Sequence, residues 1–266
     1  MFRACRFMLA ECDFTILPSK VARITMNRPD RRNAFGRVMS KELQDAVAAC
    51  SNPENQVRAV VVTSAVKGTF SAGADLKERK EMSPEEARAF VDGLRAMLNA
   101  IEDLEMPTIA ALDGVALGGG LELALSCDIR ICSEASKIGL TETGLAIVPG
   151  AGGTFRLPKA VGLSQAMRLI CSGTAVDGSE ALRIGLVQEM TADPAARAVE
   201  MAEKIASNGP IAVRAAKCAM KEGYQKDREA QLAAEKKAYE KVLPTKDRLE
   251  GLKAFSEKRK PQYQGH

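Results

Sequence analysis

The sequence has almost none of the histidine on which many enzyme classes depend. It contains no tryptophan and one histidine, His266, which is the last residue. A Ser-His-Asp triad, a Cys-His pair or a histidine-rich zinc site would all depend on this terminal side chain, and chain ends are usually poorly ordered. The shortage of histidine therefore excludes much of nucleophilic and zinc catalysis.

Paired cysteines and long apolar runs are also absent. The cysteines are odd in number, and no two are separated by two residues: Cys5, Cys12, Cys50, Cys127, Cys132, Cys171 and Cys218. We expect buried free thiols in a reducing compartment rather than disulfides or structural zinc. No apolar run approaches the roughly 20 residues that cross a bilayer, so we expect no membrane partner.

The remaining composition is that of an ordinary soluble protein. The 266 residues are 46% hydrophobic and 27% charged, with a formal net charge of +4. This is enough chain for one large domain or one and a half, and so mild a charge does not imply nucleic-acid binding. The first ten residues carry two arginines and no acid. Mitochondrial transit peptides have such a composition, and the alternative is an unstructured arm over residues 1–13.

The order of the sequence patterns predicts an α/β fold. Alternating residues indicate a strand pair or one long bent strand at 14–26, and near-continuous apolar segments indicate buried parallel strands at 59–63, 108–112 and 129–132. Helical patterns cover 37–50 and a segment from Pro84, behind the N-cap Ser83, to about residue 105. Strands that alternate with helices in this way are typical of α/β proteins.

The pattern changes to helices alone after Asp193-Pro194. We predict helices at 195–206, 210–223, 227–242 and 247–258. We therefore place a boundary near residue 195, between an α/β core over 14–195 that holds the active site and a helical region over 196–266 that mediates oligomerisation.

Two glutamates stand beside glycines in apolar surroundings. Glu122 follows Gly118-Gly119-Gly120 at the start of a predicted helix, and Glu142 lies between Gly139 and Gly144. Taken alone, Glu122 could simply complement the helix dipole and Glu142 could be a loop carboxylate. The apolar setting of Glu142 instead favours a raised pKa suited to proton transfer, and two carboxylates in such settings can divide acid and base work.

Two glycine-containing segments are further candidates for ligand contact. Residues 70–77 are small enough for the backbone to approach a ligand closely, although a plain strand-to-helix turn would look the same. Residues 148–154 suggest a phosphate loop but lack the Lys-Ser/Thr pair of a P-loop. We interpret this second segment as a tight structural loop.

These motifs together resemble the enoyl-CoA hydratase/isomerase family, also called the crotonase superfamily. Residues 109–129, including the triple glycine and Cys127-Asp128, match the signature of that family throughout. The other matching segments follow in the family's order at 27–34, 72–75, 149–154 and 255–259. The resemblance covers the chain from about residue 14 to 264.

The resemblance implies a spiral of strand-strand-helix turns with an α-helical C-terminal region, assembled as trimers or hexamers. It also implies an acyl-CoA thioester substrate, an oxyanion hole formed by the backbone N–H groups of Ala74 and Gly119, and a water held between Glu122 and Glu142. Family members contact the coenzyme A moiety, largely through backbone, at the positions of Arg31, Ala72, Asp75, Leu76 and Lys77. Lys258 matches a tail lysine that reaches the coenzyme A phosphates.

Within the family, the chain is most similar to the branch of 3-methylglutaconyl-CoA hydratases that also bind AU-rich RNA. The first helix of that branch is rich in lysine, whereas residues 37–51 here offer only Arg37 and Lys41 against Glu42 and Asp45. RNA binding is therefore the weaker expectation.

We predict a hydratase that adds water to a short or branched 2-enoyl-CoA and needs no metal or redox cofactor, coenzyme A being part of the substrate. One alternative is a double-bond isomerase on the same fold. Another is an RNA-binding member with secondary hydratase activity. The expected location is the mitochondrial matrix, with the cytoplasm as the alternative.

Overall fold

The computed structural model describes residues 6–8 and 10–266. In that part of the chain, the strands form a seven-stranded and a four-stranded sheet. In chain order the strands are β1 Arg6–Met8, β2 Cys12–Ile16, β3 Val21–Met26, β4 Ala59–Ser64, β5 Thr69–Ser71, β6 Thr108–Leu112, β7 Val115–Leu117, β8 Ile129–Cys132, β9 Lys137–Gly139, β10 Val176–Asp177 and β11 Glu189–Met190.

The helices of the described chain are numbered in the same way. They are α1 Arg37–Ser51, α2 Leu76–Lys80, α3 Pro84–Glu102, α4 Gly119–Ser126, α5 Gly153–Val161, α6 Leu163–Ser172, α7 Gly178–Arg183, α8 Pro194–Ala206, α9 Pro210–Gly223, α10 Arg228–Val242 and α11 Lys246–Ser256. Ser83 and Glu86 cap α3 reciprocally, as Ser83 predicted. The helix ends a few residues before the predicted position.

The larger sheet has the order β1-β2-β3-β4-β6-β8-β11. Strands β1, β2 and β3 pair antiparallel, and all pairings from β3 onward are parallel. The predicted antiparallel pair is confirmed as β2 and β3, and the three predicted buried strands are confirmed as β4, β6 and β8.

Strand β4 shows why these strands are apolar throughout. Val60 and Val62 pack into the main core, whereas Val61 packs on the opposite face with Ala198 and Ala202 of α8. Both faces of the sheet are therefore covered, and a strand in such a sheet needs apolar residues at successive positions rather than at alternate ones.

Three successive units of strand, strand and helix repeat along the chain. They are β4-β5 followed by α2 and α3, β6-β7 followed by α4, and β8-β9 followed by α5. In each unit the first strand joins the larger sheet, and the second joins the smaller sheet, whose order is β10-β9-β7-β5. This repetition confirms the predicted α/β spiral with an α-helical C-terminal region.

The C-terminal helices differ in how they meet the spiral. Helix α8 packs on the larger sheet, with Ala202 buried and Val199 and Ile205 partly buried. Helix α9 packs against α10, and its buried Lys217 is joined to Asp128 by an ion pair of 2.6 Å from Nζ to Oδ2. The apolar face of α8 is thus covered by the sheet of the same chain. The boundary near residue 195 stays a prediction.

The N-terminal arm predicted over residues 1–13 is not wholly unstructured. Arg6–Met8 pairs with β2 as strand β1, and Cys12–Ile16 begins β2 inside the predicted arm. Residues 1–5 and 9 lie outside the described chain, so the transit-peptide hypothesis remains a prediction. No helix among the described residues is long and apolar enough to cross a membrane.

The thiols of the described chain are free, and most of them are buried as predicted. Cys12, Cys50, Cys127 and Cys132 are buried, and Cys171 and Cys218 are the exceptions, being exposed and half-buried. Burial raises the pKa of the Cys12 thiol to about 12. These buried thiols are therefore protonated at neutral pH and pack as small apolar groups.

Candidate active site

Glu122 and Glu142 line the same cavity. Glu122 lies near the N-terminus of α4, and Glu142 begins a 3-10 turn over Glu142–Leu145 that follows β9. Because β7 and β9 are neighbouring parallel strands, the segments that follow them meet at one edge of the smaller sheet. The topology thus brings together the two glutamates that the sequence singled out.

Glu122 is anchored by the loop before α5. The residue is 3% exposed, and its Oε1 accepts hydrogen bonds of 2.8 Å from the N–H groups of Ala151 and Gly153. Burial raises its pKa, while these two N–H groups and the charge of Arg156 partly offset the rise. Both hydrogen bonds go to Oε1, so Oε2 is left for a ligand or water.

No other residue of the described chain anchors the Glu142 carboxylate in this way. Burial is the main reason that its pKa is raised to about 7; a hydrogen bond from its own backbone N–H opposes the rise, the charge of Glu122 adds to it and that of Arg79 opposes it. Its Oε2 is buried and has no hydrogen-bond partner among the described residues. Buried polar atoms are nearly always paired, so this oxygen marks a position where a water or substrate binds.

Two backbone N–H groups beside the glutamates are also unpaired among the described residues. The N–H of Phe35 donates to Gly73 O (2.7 Å), and the Phe35 carbonyl accepts from Asp75 N (3.0 Å). Between these two bonds, the N–H of Ala74 has no partner in the described chain. The N–H of Gly119, at the first position of α4, makes no hydrogen bond within the described chain either. Both residues line the cavity.

These two N–H groups are close neighbours. A methyl group on Gly119 would lie 3.7 Å from Ala74 N. Adjacent unpaired donors, one of them at a helix N-terminus, can stabilise a negatively charged oxygen that develops during a reaction.

The triple glycine is explained by two separate constraints. Gly118 has φ 51° and ψ −124°, a conformation that residues with a side chain rarely adopt. A Cβ on Gly120 would lie 2.5 Å from the carbonyl oxygen of Ser71, so this position admits no side chain. These glycines allow α4 to begin against the neighbouring backbone with the N–H of Gly119 facing the cavity.

The comparisons with known proteins show the family of this chain. The family model described as enoyl-CoA hydratase/isomerase matches residues 17–266. The chain belongs to the enoyl-CoA hydratase/isomerase family. Family members act on acyl-CoA thioesters, and the chain is accordingly an enzyme of the enoyl-CoA hydratase type.

Two relatives and one solved structure illustrate the similarity. Human "Methylglutaconyl-CoA hydratase, mitochondrial" is 48% identical, over 90% of this chain and 72% of its own length. Human "Enoyl-CoA hydratase domain-containing protein 2, mitochondrial" is 46% identical, over 92% of this chain and 86% of its own length. The crystal structure of an enoyl-CoA hydratase from Bacillus anthracis is 44% identical, with a TM-score of 0.91 and full coverage of both chains.

Two of the residues expected to contact coenzyme A in this hydratase-family enzyme line the cavity, and the others do not. Ala72 and Leu76 are exposed and line the cavity. The carboxylate of Asp75 caps α2 and lies 3.1 Å from the Arg28 guanidinium, so its side chain is already occupied.

Three more of these predicted contacts are not brought to the cavity wall: Arg31, Lys77 and Lys258. Lys258 belongs to a C-terminal tail that Arg58, just before β4, holds by a hydrogen bond to the carbonyl of Tyr263 (2.9 Å). The cavity instead lies beside the segments that follow the C-terminal ends of β7 and β9. Within one chain, Lys258 therefore does not line the site.

Arg156 supports the site of this enzyme and was not identified from the sequence. It is 4% exposed and donates to Ala151 O (2.9 Å), Glu102 Oε2 (2.8 Å) and Asn99 Oδ1 (2.6 Å). It therefore ties the loop that anchors Glu122 to the end of α3. The sequence indicated only a tight structural loop here, whereas Val148, Gly150 and Ala151 line the cavity. Its glycines were the available signal for the amides that bind Glu122.

We expect Arg156→Met to lower kcat for enoyl-CoA hydration by about 10- to 100-fold, because a small displacement of a catalytic group is enough to cost that much. KM should change less, since Arg156 is remote from the cavity wall. The pKa of Glu122 should rise, so the acid limb of the pH–rate profile should move to higher pH. If Arg156 served folding alone, the acid limb of the pH–rate profile would stay at its wild-type pH.

Two further variants complete this test. Arg156→Lys should restore part of the rate, because it keeps the charge but not the planar fork. Arg168→Met is a matched control, since Arg168 is an exposed arginine that pairs with Glu180 (2.9 Å). An Arg156→Met enzyme with normal kcat would contradict the positioning role.

The cavity holds no cluster suited to a metal ion. In the described part of the chain, no group of three or more His, Cys, Asp or Glu side chains is placed to bind one. What the cavity offers is two carboxylates, two backbone N–H donors and the side chain of Arg79.

Proposed function

We propose that this enzyme adds water across the double bond of a 2-enoyl-CoA thioester. The observation that supports this most directly is the convergence on one cavity of the buried Glu122, the half-buried Glu142 and two backbone N–H groups that are unpaired among the described residues. A hydration needs a base for the water, an acid for the α-carbon and a site for the negative charge that forms on the thioester oxygen.

The environments of the two glutamates suggest their roles. Glu142 has a pKa of about 7 and can carry a proton at neutral pH, which suits it to act as the acid. Glu122 is stabilised as a carboxylate by two N–H groups and by nearby arginines, which suits it to act as the base. Burial raises the pKa of both carboxyl groups, and the two N–H groups that partly offset the rise at Glu122 make the two environments unequal, which is the usual arrangement for paired acid-base work.

The proposed reaction proceeds in two steps. The thioester oxygen accepts hydrogen bonds from the N–H groups of Ala74 and Gly119. Glu122 removes a proton from the bound water as its oxygen attacks the β-carbon, and the electrons of the double bond move to form an enolate whose charge lies on that thioester oxygen. The enolate then collapses and its α-carbon takes the proton of Glu142. These groups supply all the charge stabilisation that the reaction requires, so we propose no metal or redox cofactor.

An isomerase on the same fold is the nearest alternative, because it needs only one carboxylate to move a proton. The unpaired Oε2 of Glu142, opposite a second buried carboxylate, favours water addition. RNA binding finds less support, since Lys41 pairs with Asp45 (2.5 Å) and Arg37 with Glu86 (3.2 Å). If the affinity for AU-rich RNA fell steeply with rising salt concentration, several phosphate contacts would be indicated, and RNA binding would again be an alternative.

The function is tested by incubating purified protein with crotonyl-CoA, tiglyl-CoA, 3-methylglutaconyl-CoA and a 3-enoyl-CoA. We expect loss of the conjugated enoyl-thioester absorbance and formation of the 3-hydroxyacyl product from at least one 2-enoyl-CoA. Conversion of the 3-enoyl-CoA to a 2-enoyl-CoA without hydration would show an isomerase instead.

We further propose that the enzyme assembles as a trimer or hexamer and that a neighbouring copy supplies Lys258 to each site. Leu249, Leu252 and Phe255 are exposed on one face of α11, opposite the buried Asp247 and Ala254. An exposed apolar face of this kind is typical of a protein interface. The mitochondrial relatives support a matrix location, with the cytoplasm as the alternative because the Bacillus anthracis hydratase is also similar.

Sedimentation at micromolar concentration should show three or six chains. Leu252→Glu combined with Phe255→Glu should shift the protein towards monomer and weaken acyl-CoA binding, because burying two carboxylates in an apolar interface is costly. Lys253→Glu, on the same helix but outside this face, is the matched control. A monomer with full activity would contradict the shared site.

A further inference from the structure

Arg28 is a largely buried arginine that the mechanism proposed above does not use. It lies two residues after the end of β3, and its side chain is 12% exposed. It is not among the residues that line the cavity. A guanidinium that has lost most of its hydration needs partners for its charge and its N–H groups. The partners of Arg28 therefore indicate its role.

All three nitrogens of the Arg28 guanidinium have partners, and these partners come from separate segments of the chain. Nε lies 2.8 Å from Glu11 Oε1, just before β2, and Nη2 lies 3.3 Å from Glu78 Oε1 on α2. Nη1 donates to the carbonyl of Ala34 (2.9 Å) and lies 3.1 Å from Asp75 Oδ2. One planar group thus joins the backbone at Ala34 to the residue that caps α2.

The two partners of Nη1 belong to the two segments that surround Ala74. Ala34 precedes Phe35, whose N–H and carbonyl form hydrogen bonds with Gly73 O and Asp75 N on either side of Ala74. Asp75 follows Ala74 directly in the chain. Arg28 therefore contacts both segments that fix the position and direction of the Ala74 N–H.

The backbone of Arg28 is itself fixed by the buried Asn33. The N–H of Arg28 donates to Asn33 Oδ1 (2.7 Å), and its carbonyl accepts from Asn33 N (3.0 Å). Nδ2 of Asn33 donates in turn to the carbonyl of Phe70 in β5 (3.0 Å). The Arg28 side chain thus extends from a backbone that is bonded to the smaller sheet, so its guanidinium can hold other segments in place.

We propose that Arg28 is a positioning residue, which holds the N–H of Ala74 beside that of Gly119 so that both bind the negatively charged thioester oxygen. The inference rests on the proposed hydratase function. Hydrogen-bond donors stabilise such a charge best when their geometry is fixed before the reaction. Without the guanidinium, the buried Asp75 carboxylate would lose its nearest cation, and the segment around Ala74 would shift as that carboxylate regains hydration.

Arg28→Met should lower kcat for hydration by about 10- to 100-fold, because a misplacement of about 1 Å is enough for such a loss. KM should change little, since Arg28 does not line the cavity. The readout specific to positioning is the infrared band of the thioester carbonyl in bound butyryl-CoA, a saturated thioester that cannot be hydrated, isotope-labelled at that carbon. Hydrogen bonds to the carbonyl oxygen move this band to lower frequency on binding, and the shift should be smaller in Arg28→Met than in wild type.

Three further variants separate positioning from stability. Arg28→Lys keeps the charge but cannot span Ala34 and Asp75 with a planar fork, so its kcat and band shift should lie between those of Arg28→Met and wild type. Glu11→Gln removes the ion pair with the segment before β2, and it should keep both values near wild type even where it lowers the unfolding temperature. Arg23→Met, at an exposed arginine of β3, is the matched control.

The possible outcomes distinguish this inference from the function on which it rests. A folded Arg28→Met or Arg28→Lys enzyme with the wild-type band shift would overturn the inference, and so would an equal loss of band shift in Glu11→Gln. If Arg28→Met did not fold, Arg28→Lys would decide in the same way. If the wild-type protein hydrated no 2-enoyl-CoA, the proposed function would be wrong. The band of butyryl-CoA would still show whether Arg28 positions the Ala74 N–H, because it requires no turnover.

Discussion

Glu122→Gln and Glu142→Gln should each lower kcat for hydration of a short enoyl-CoA by two to four orders of magnitude. Glutamine keeps the shape of the side chain but can neither take up nor release the proton, and acid-base groups contribute about 10²- to 10⁴-fold. Substrate affinity should change little, because the thioester oxygen binds to backbone N–H groups. Single-turnover kinetics with saturating enzyme measures the chemical step directly.

The pH dependence provides an independent check on the assignment. The pKa of Glu142 is raised to about 7, and the acid form is the active one. The rate of hydration should therefore fall above about pH 7, roughly tenfold per pH unit, and this alkaline limb should vanish in Glu142→Gln. An alkaline limb that survives in the variant would show that another group donates the proton.

Thermal unfolding separates loss of chemistry from loss of structure. A carboxyl whose pKa rises from 4.5 to about 7 on folding is neutral in both states at low pH. As the pH rises through these values, ionisation favours the unfolded chain by up to about 3 kcal/mol. Glu142→Gln should therefore be more stable than wild type at pH 8 and similar at pH 4. A destabilised variant at pH 8 would mean that Glu142 is not held in a desolvated site.

The architecture was largely predictable because its signals are local. The near-continuous apolar residues of β4 follow from burial on both faces, and Ser83-Pro84 marks the start of α3 by well-known capping chemistry. The start of the chain was harder to predict, since the edge strand β1 has only three residues and little pattern of its own.

The site was predictable only in outline. The glycines around Glu122 and Glu142 mark the backbone positions that must approach one another, so the two carboxylates could be identified. Arg156 and Arg79 could not, because an arginine in a helical pattern resembles any solvated charge until the fold shows what it faces. The first contacts the carbonyl of Ala151, and the second lines the cavity.

Gly119→Pro should reduce kcat by about 10²- to 10³-fold, the usual cost of removing one oxyanion donor. Proline has no N–H, so the substitution deletes the proposed donor itself. Gly119 is the first residue of α4, the helix position that accepts proline most readily, so the helix should still form. Circular dichroism and thermal unfolding would verify the fold, and stopped-flow hydration of crotonyl-CoA would measure the rate.

Gly119→Ala is the matched control for this substitution, because it keeps the N–H and adds only a methyl group. That methyl would lie 3.1 Å from the Phe35 ring, so a modest loss of about tenfold is expected from the shift of the ring. The difference between the alanine and proline variants then measures the N–H alone, while KM, which depends on the rest of the acyl-CoA, should be similar in both. Equal kcat values in two folded variants would remove Gly119 from the oxyanion hole and leave Ala74 as its only proposed donor.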